Sequence, residues 1–166
     1  MLCETDLQVS WRARPRGFVA LMSLYESNYL RFIQLAGDPA RLSGTLSSRV
    51  AGDCELQLTV LEHMPYTSML TLTYVLPVND SHEAFEWLPN LKLRAYHDAR
   101  LLEADEFRPS IKSSTKSSTI KENNTRRRDP HPGERELHQR WMRNMMLNKW
   151  LEYCAERGHR FTVQEF

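Results

Sequence analysis

The sequence predicts an α+β fold: an antiparallel sheet of four to five strands, with an N-terminal and a C-terminal helix packed on one face. Three observations predict it. Apolar residues recur every three or four positions near the start of the chain. They alternate with polar ones through the middle, and the three-to-four spacing returns near the end. Two amphipathic helices and a sheet with one apolar face all need covering, and the simplest packing lays both helices on that face.

The first helix spans Phe18 to Ala36. Phe18, Met22, Tyr25, Tyr29, Phe32 and Ala36 form its stripe, widened by Leu21, Ile33 and Leu35. Gly37-Asp38-Pro39 ends it, because glycine takes the left-handed cap and proline cannot continue a helix. The period then changes to two. Leu42, Leu46 and Val50 alternate with polar residues up to the turn Ala51-Gly52-Asp53. Cys54, Leu56, Leu58 and Val60 face one way in the next strand, and Tyr66, Leu70, Leu72, Tyr74 and Leu76 in the one after Pro65. Leu91, Leu93 and Ala95 define a fourth strand, and a fifth covers Arg100 to Phe107. The outward positions are rich in Thr, Gln, Glu, Lys and Arg, which fits a wet outer face. The last helix runs from about Glu134 to Arg157, with Leu137, Trp141, Met145, Leu147, Trp150, Leu151 and Cys154 as its apolar side and Gly158 as its stop. Phe161 to Phe166 is expected to return to the sheet edge.

Residues 1–17 read as an irregular N-terminal arm, and 18–166 as one α+β domain interrupted at 109–131. The interruption is rich in Ser, Thr and Lys and ends in Arg126-Arg127-Arg128. It is too polar to offset its own ordering entropy, so it is expected to be disordered.

The whole chain has 22 Lys plus Arg against 21 Asp plus Glu, a net charge of +1, which argues against a wholesale nucleic-acid coat. Cys3, Cys54 and Cys154 are far apart and show no ligand spacing, so free thiols in a reducing cytoplasm are expected. No run approaches the roughly 18 apolar residues of a membrane span. The arginine-bearing start lacks the small-residue cleavage pattern of a secretory signal.

Four segments, in this order and spacing, carry a family resemblance: Tyr25-Glu26-Ser27-Asn28-Tyr29; Val60-Leu61-Glu62 with Tyr66-Thr67; Arg94-Ala95-Tyr96-His97-Asp98-Ala99; and His138-Gln139 with Asn144, Trp150-Leu151, Cys154 and Gly158. The chain resembles the YqiB-like proteins, a bacterial family known as a domain of unknown function. The resemblance implies a small cytoplasmic protein and no particular reaction. The Ser/Thr/Lys insert departs from the family pattern. So does Arg140-Trp141-Met142, which stands where the relatives have an acidic pair and a lysine.

Tyr96-His97-Asp98 is the leading candidate for chemistry. Histidine trades a proton near neutrality, and a neighbouring carboxylate can assist it. Neighbours on a strand point to opposite faces, however, so His97 and Asp98 cooperate only where the strand bends. The alternative is a strand-ending turn in which Asp98 bonds its own downstream backbone. Asn28 borders the buried stripe of the first helix and needs partners. It serves either as a structural hydrogen bonder or as one wall of a polar pocket shared with Tyr96 and His97. His63, His97, Asp98 and His138 lack the spacing that preorganises metal ligands, so no metal and no cofactor is expected.

Three functions follow. The first is a non-catalytic binding or regulatory module that engages another protein or a small anion through the polar sheet face or the helix–sheet groove. The second is a hydrolase acting on a nucleotide-like substrate through His97 and Asp98. The third is an RNA-associated protein using Arg126, Arg127 and Arg128. Residues 112–143 hold nine basic and four acidic residues, with no aromatic for base stacking before Trp141.

Overall fold

The three-to-four spacing produces helix α1 at Phe18–Ala36, and alternation produces five strands: β1 (Thr45–Ser48), β2 (Glu55–His63), β3 (Thr67–Val75), β4 (Pro89–Tyr96) and β5 (Leu101–Pro109). A 3-10 turn at Pro39–Arg41 precedes β1, and helix α2 (Pro132–Arg157) follows the sheet. The computed structural model describes residues 17–75, 89–109 and 132–162. Residues 1–16 of the expected arm, with Cys3, and 110–131 of the expected insert, with Arg126, Arg127 and Arg128, lie outside the described residues, while Pro109 ends β5.

The strands form one antiparallel meander in the order β1-β2-β3-β4-β5. Leu58 pairs with Leu46 and Leu72, and Leu70 with Val60 and Leu93, so the apolar positions stack in cross-strand rows on one face. Both helices cover that face. Tyr29 and Phe32 of α1 and Trp150, Leu151 and Cys154 of α2 share a single core with Leu58 and Leu72. Each fully buried side chain of this kind contributes roughly 1.5–3 kcal/mol. The helices run in the same direction: Asn28 meets Asn144 and Asn148, and further along Arg31 meets Glu152 at 3.1 Å.

Several boundaries shift for identifiable reasons. Gly44 takes φ 67°, turning the chain so that β1 begins at Thr45 rather than at Leu42. Leu42 is buried all the same. Gly37 takes φ 79° and donates to Ile33 O, closing α1 as expected. The buried side of α1 is rotated toward Ala20, Leu24 and Asn28, which leaves Phe18 66% exposed. Tyr66 sits in the β2–β3 hairpin loop and is 70% exposed, so it does not join the inward row. Phe161 packs in the core and donates its N–H to Leu35 O rather than to a strand.

The outer edge of β5 is closed by side chains. Asn28 Nδ2 donates to Leu102 O, and Ala104 N–H donates to Asn144 Oδ1 at 2.8 Å. Asn28 Nδ2 also donates to Asn144 Oδ1, and Asn148 Nδ2 donates to Asn28 Oδ1. All three asparagines are fully buried. They supply the hydrogen bonds that a sixth strand would otherwise give, as buried backbone polar groups require.

Candidate functional site

The segment Tyr96-His97-Asp98 divides three ways. Tyr96, the last residue of β4, points to the outer face. His97 turns to the inner side, and its N–H donates to Tyr66 O at 2.9 Å. Asp98 accepts from the Ala99 N–H at 2.9 Å and opens the turn to β5. The imidazole of His97 and the carboxylate of Asp98 share no bond.

His97 finds a different partner. Met64 N–H donates to Thr67 O, which closes the β2–β3 hairpin. His63 and Ser68 are therefore a non-hydrogen-bonded pair, the kind in which side chains approach most closely. Ser68 Oγ lies 3.1 Å from His63 Nδ1 and 2.9 Å from His97 Nε2. His97 Nδ1 lies 3.4 Å from Pro65 O. A carbonyl can only accept, so with neutral rings His97 Nδ1–H donates to Pro65 O, and His97 Nε2 accepts from the Ser68 hydroxyl. Ser68 Oγ in turn accepts from His63 Nδ1–H. His63 Nε2 is left as a lone pair on an exposed ring. The two rings stand 5.6 Å apart.

His63 borders a cleft of about 500 Å³, lined by Ala40 to Gly44 on one side and Val60 to His63 on the other. The cleft exists because β1 and β2 diverge. Their last bond is Val60 N–H to Gly44 O, and beyond it Gly44 turns away while β2 continues through a bulge between Val60 and Glu62. Arg41 also lines it, with its side chain 84% exposed and only a loose pairing to Asp38 at 4.0 Å.

On the outer face, Tyr96 Oη donates to Glu103 Oε1 at 2.8 Å. Glu103 is only 7% exposed, with Arg94 Nη1 at 3.9 Å and Arg140 Nη1 at 4.0 Å. Arg94 binds Asp105 at 2.9 Å, and Arg140 binds Glu136 at 2.8 Å. The Tyr25 hydroxyl is buried beside this group, outside hydrogen-bond geometry yet near enough for Glu103 and Arg140 to act on it in opposite senses. Burial, reinforced by the charge of Glu103, pushes its pKa up to about 12. Burial also raises Tyr96 above an ordinary phenol, with Arg94 opposing and Glu103 adding to the rise. The cluster ties α1, α2 and β4 to the outer side of β5.

Asn28 is committed to closing β5, so it shares no pocket with Tyr96 and His97. A further polar chain joins the C-terminal end to the β1–β2 turn. Arg160 N–H donates to Ser48 Oγ, Ser48 lies 3.1 Å from His159 Nδ1, and His159 Nε2 lies 3.3 Å from Asp53 Oδ2. Ser48 is 4% exposed and His159 fully buried, so this serine-histidine-aspartate series is a clasp without access for a substrate. Among the described residues, no group of three or more His, Cys, Asp or Glu is placed to hold a metal. No described helix is long and apolar enough to cross a membrane. Sequence spacing could not reveal His63 beside His97, because hairpin register and not a local repeat brings them together. The alternating pattern that pairs β2 with β3 is the signal that could have found it.

Fold and site together define a single-sheet α+β domain with two helices on one face and a histidine-bordered cleft where the sheet opens. The chain belongs to the family described as protein of unknown function (DUF1249), whose model matches residues 31–160. That span holds the cleft, both histidines of the Ser68 chain, Glu103 and the asparagines of α2. No curated protein and no solved structure matches the chain.

Proposed function

We propose that the protein is a non-catalytic binding module, bacterial and cytoplasmic in keeping with its YqiB-like resemblance, and that its cleft takes a small anion. The observation that carries this reading is the presentation of His63. Its Nδ1–H is held by Ser68, and its Nε2 is free at the rim of a cleft that also holds Arg41. Protonation at Nε2 makes the ring a cation and a second donor without disturbing the bond to Ser68. Two cationic donors across a cleft suit one compact anion, a phosphate or a carboxylate. The hydrolase alternative gains nothing from the geometry, since Asp98 engages the backbone of its own turn. The RNA alternative rests on Arg126, Arg127 and Arg128, outside the described residues.

The test is thermal denaturation at mildly acidic pH with inorganic phosphate, acetate and a nucleoside monophosphate. An anion that binds the folded state raises the melting temperature by mass action. The rise is expected in the native protein and in Asp98→Ala, and is expected to vanish in Arg41→Ala and His63→Ala. No rise with any anion, or one that survives both cleft substitutions, overturns the reading. Turnover of the nucleotide, lost in His97→Ala, moves it to the hydrolase.

A further inference from the structure

We propose that the unpaired edge of β2 at Leu61–His63 is a strand-addition site for the C-terminal residues of a protein partner, with the partner's terminal carboxylate held by Arg41. The inference rests on the anion-binding reading of the same cleft and names the molecule that carries the anion.

The backbone supplies the first argument. β1 pairs with β2 only from Thr45↔Thr59 to Ser48↔Leu56, and the order β1-β2-β3 puts no described strand beside Leu61–His63 on that side. Met64 directs its N–H toward Thr67. Strand residues alternate in direction, so the N–H and C=O of His63 point the other way, into the open edge. An edge of this kind is a template for an extended peptide, whose main chain bonds to it whatever its sequence.

The surroundings supply the second. Leu61, Met64 and Tyr66 are exposed by 53%, 38% and 70%, an apolar rim beside the edge that suits alternate side chains of an added strand. The cleft volume of about 500 Å³ lies within the usual range for a bound ligand. Charge supplies the third. Arg41, the exposed cation on the opposite wall of the same cleft, is the group available to the terminus of a short chain laid beside His63. A terminal carboxylate is the one anion that an extended peptide always carries. At the far edge of the sheet, the Leu102–Ala104 stretch of β5 is already met by Asn28 and Asn144.

The test titrates nitrogen-labelled full-length protein with a pool of sequence-randomised pentapeptides bearing free carboxyl termini, with the same pool amidated, and with acetate alone. The free-carboxyl pool is expected to shift the backbone amides of His63 and Gly44, and amidation is expected to weaken binding by about tenfold or more. If acetate moves the Arg41 and His63 side-chain signals but neither pool adds to it, strand addition is overturned while the anion reading stands. If nothing moves, both fail. Equal binding of the two pools overturns the role given to Arg41. His63→Pro removes an N–H that no ladder bond uses, so the fold is expected to persist while peptide binding is lost. His63→Ala keeps the N–H but removes one of the two side chains assigned to the anion, so it is expected to bind both pools with about the affinity that the native protein has for the amidated pool. Peptide binding that survives His63→Pro in protein of native circular dichroism refutes the proposal. If His63→Pro does not fold, the amide shifts of the native protein decide.

Discussion

Replacing Asn144 by alanine tests whether asparagine side chains hold the end of the sheet. Its Oδ1 accepts from Ala104 N–H at 2.8 Å and from Asn28 Nδ2 at 3.2 Å, and its Nδ2 donates to Arg140 O at 2.8 Å. The alanine variant loses all three bonds and strands the Ala104 N–H in a buried site. An unsatisfied buried donor costs about 1–3 kcal/mol, and the truncated side chain leaves a small void besides. The sum is about 2–4 kcal/mol, a large share of the 5–15 kcal/mol typical of a domain. At roughly 2–4 °C per kcal/mol for a chain of this length, the melting temperature is expected to fall by about 5–15 °C. Urea denaturation followed by far-ultraviolet circular dichroism measures the cost directly. Lys149→Ala, on the exposed side of the same helix, is the control and is expected to stay within about 0.5 kcal/mol. A cost for Asn144→Ala below about 1 kcal/mol, or equal to the control, refutes the argument that these amides close the β5 edge.

Two further outcomes follow from titrating groups. Tyr25 carries a buried hydroxyl without a partner, and its pKa is raised to about 12. The folded state therefore binds that proton more tightly than the unfolded state, and stability falls as pH rises from about 10 toward 12. Tyr25→Phe is expected to cost less than about 1 kcal/mol at neutral pH and to flatten that alkaline loss; a larger neutral-pH cost shows that the hydroxyl is bonded after all. At Asp53, burial pushes the carboxyl up, but donors from Cys54 N–H, His159 and Arg157 outweigh it and hold the pKa below the ordinary value. Its stabilisation is therefore present above the unfolded pKa and lost as pH falls through the folded one. Asp53→Asn is expected to reduce the acid sensitivity of the urea midpoint, and an unchanged acid limb counts against the clasp.

Most of the elements were legible because period alone separates a strand from a helix, and the core pairs of Tyr29 and Phe32 with Leu58 and Leu72 follow from it. The interior amides were not. Asn144 and Asn148 are not among the apolar residues that the spacing assigns to the buried side of α2, yet both are fully buried. Their place depends on a strand edge that only the tertiary fold brings alongside. Asn28 was singled out as a polar residue needing partners, and the partners it has are Leu102, Asn144 and Asn148. Tyr96, His97 and Asp98 are neighbours in sequence. Strand alternation sends the first to Glu103 and the second to Ser68, and the turn takes the third. Glu103 itself carries no local signal, because its burial comes from three elements, α1, α2 and β4, meeting on it.

The unlike edges of the sheet also set how copies of the chain can combine. Linear growth by strand pairing needs two reactive sides on every unit, as a polymer needs bifunctional monomers. Among the described residues, the β5 side is capped by amides, and the β1 end is fastened at Ser48 by His159 and Arg160. What stays open among the described residues lies on the other side of the sheet: the backbone of β2 at His63 and the outer side of β1. Blocking the Leu102–Ala104 stretch with side-chain amides confines edge-to-edge contact with a second copy largely to the β1–β2 side, and so narrows the ways in which strand pairing could propagate.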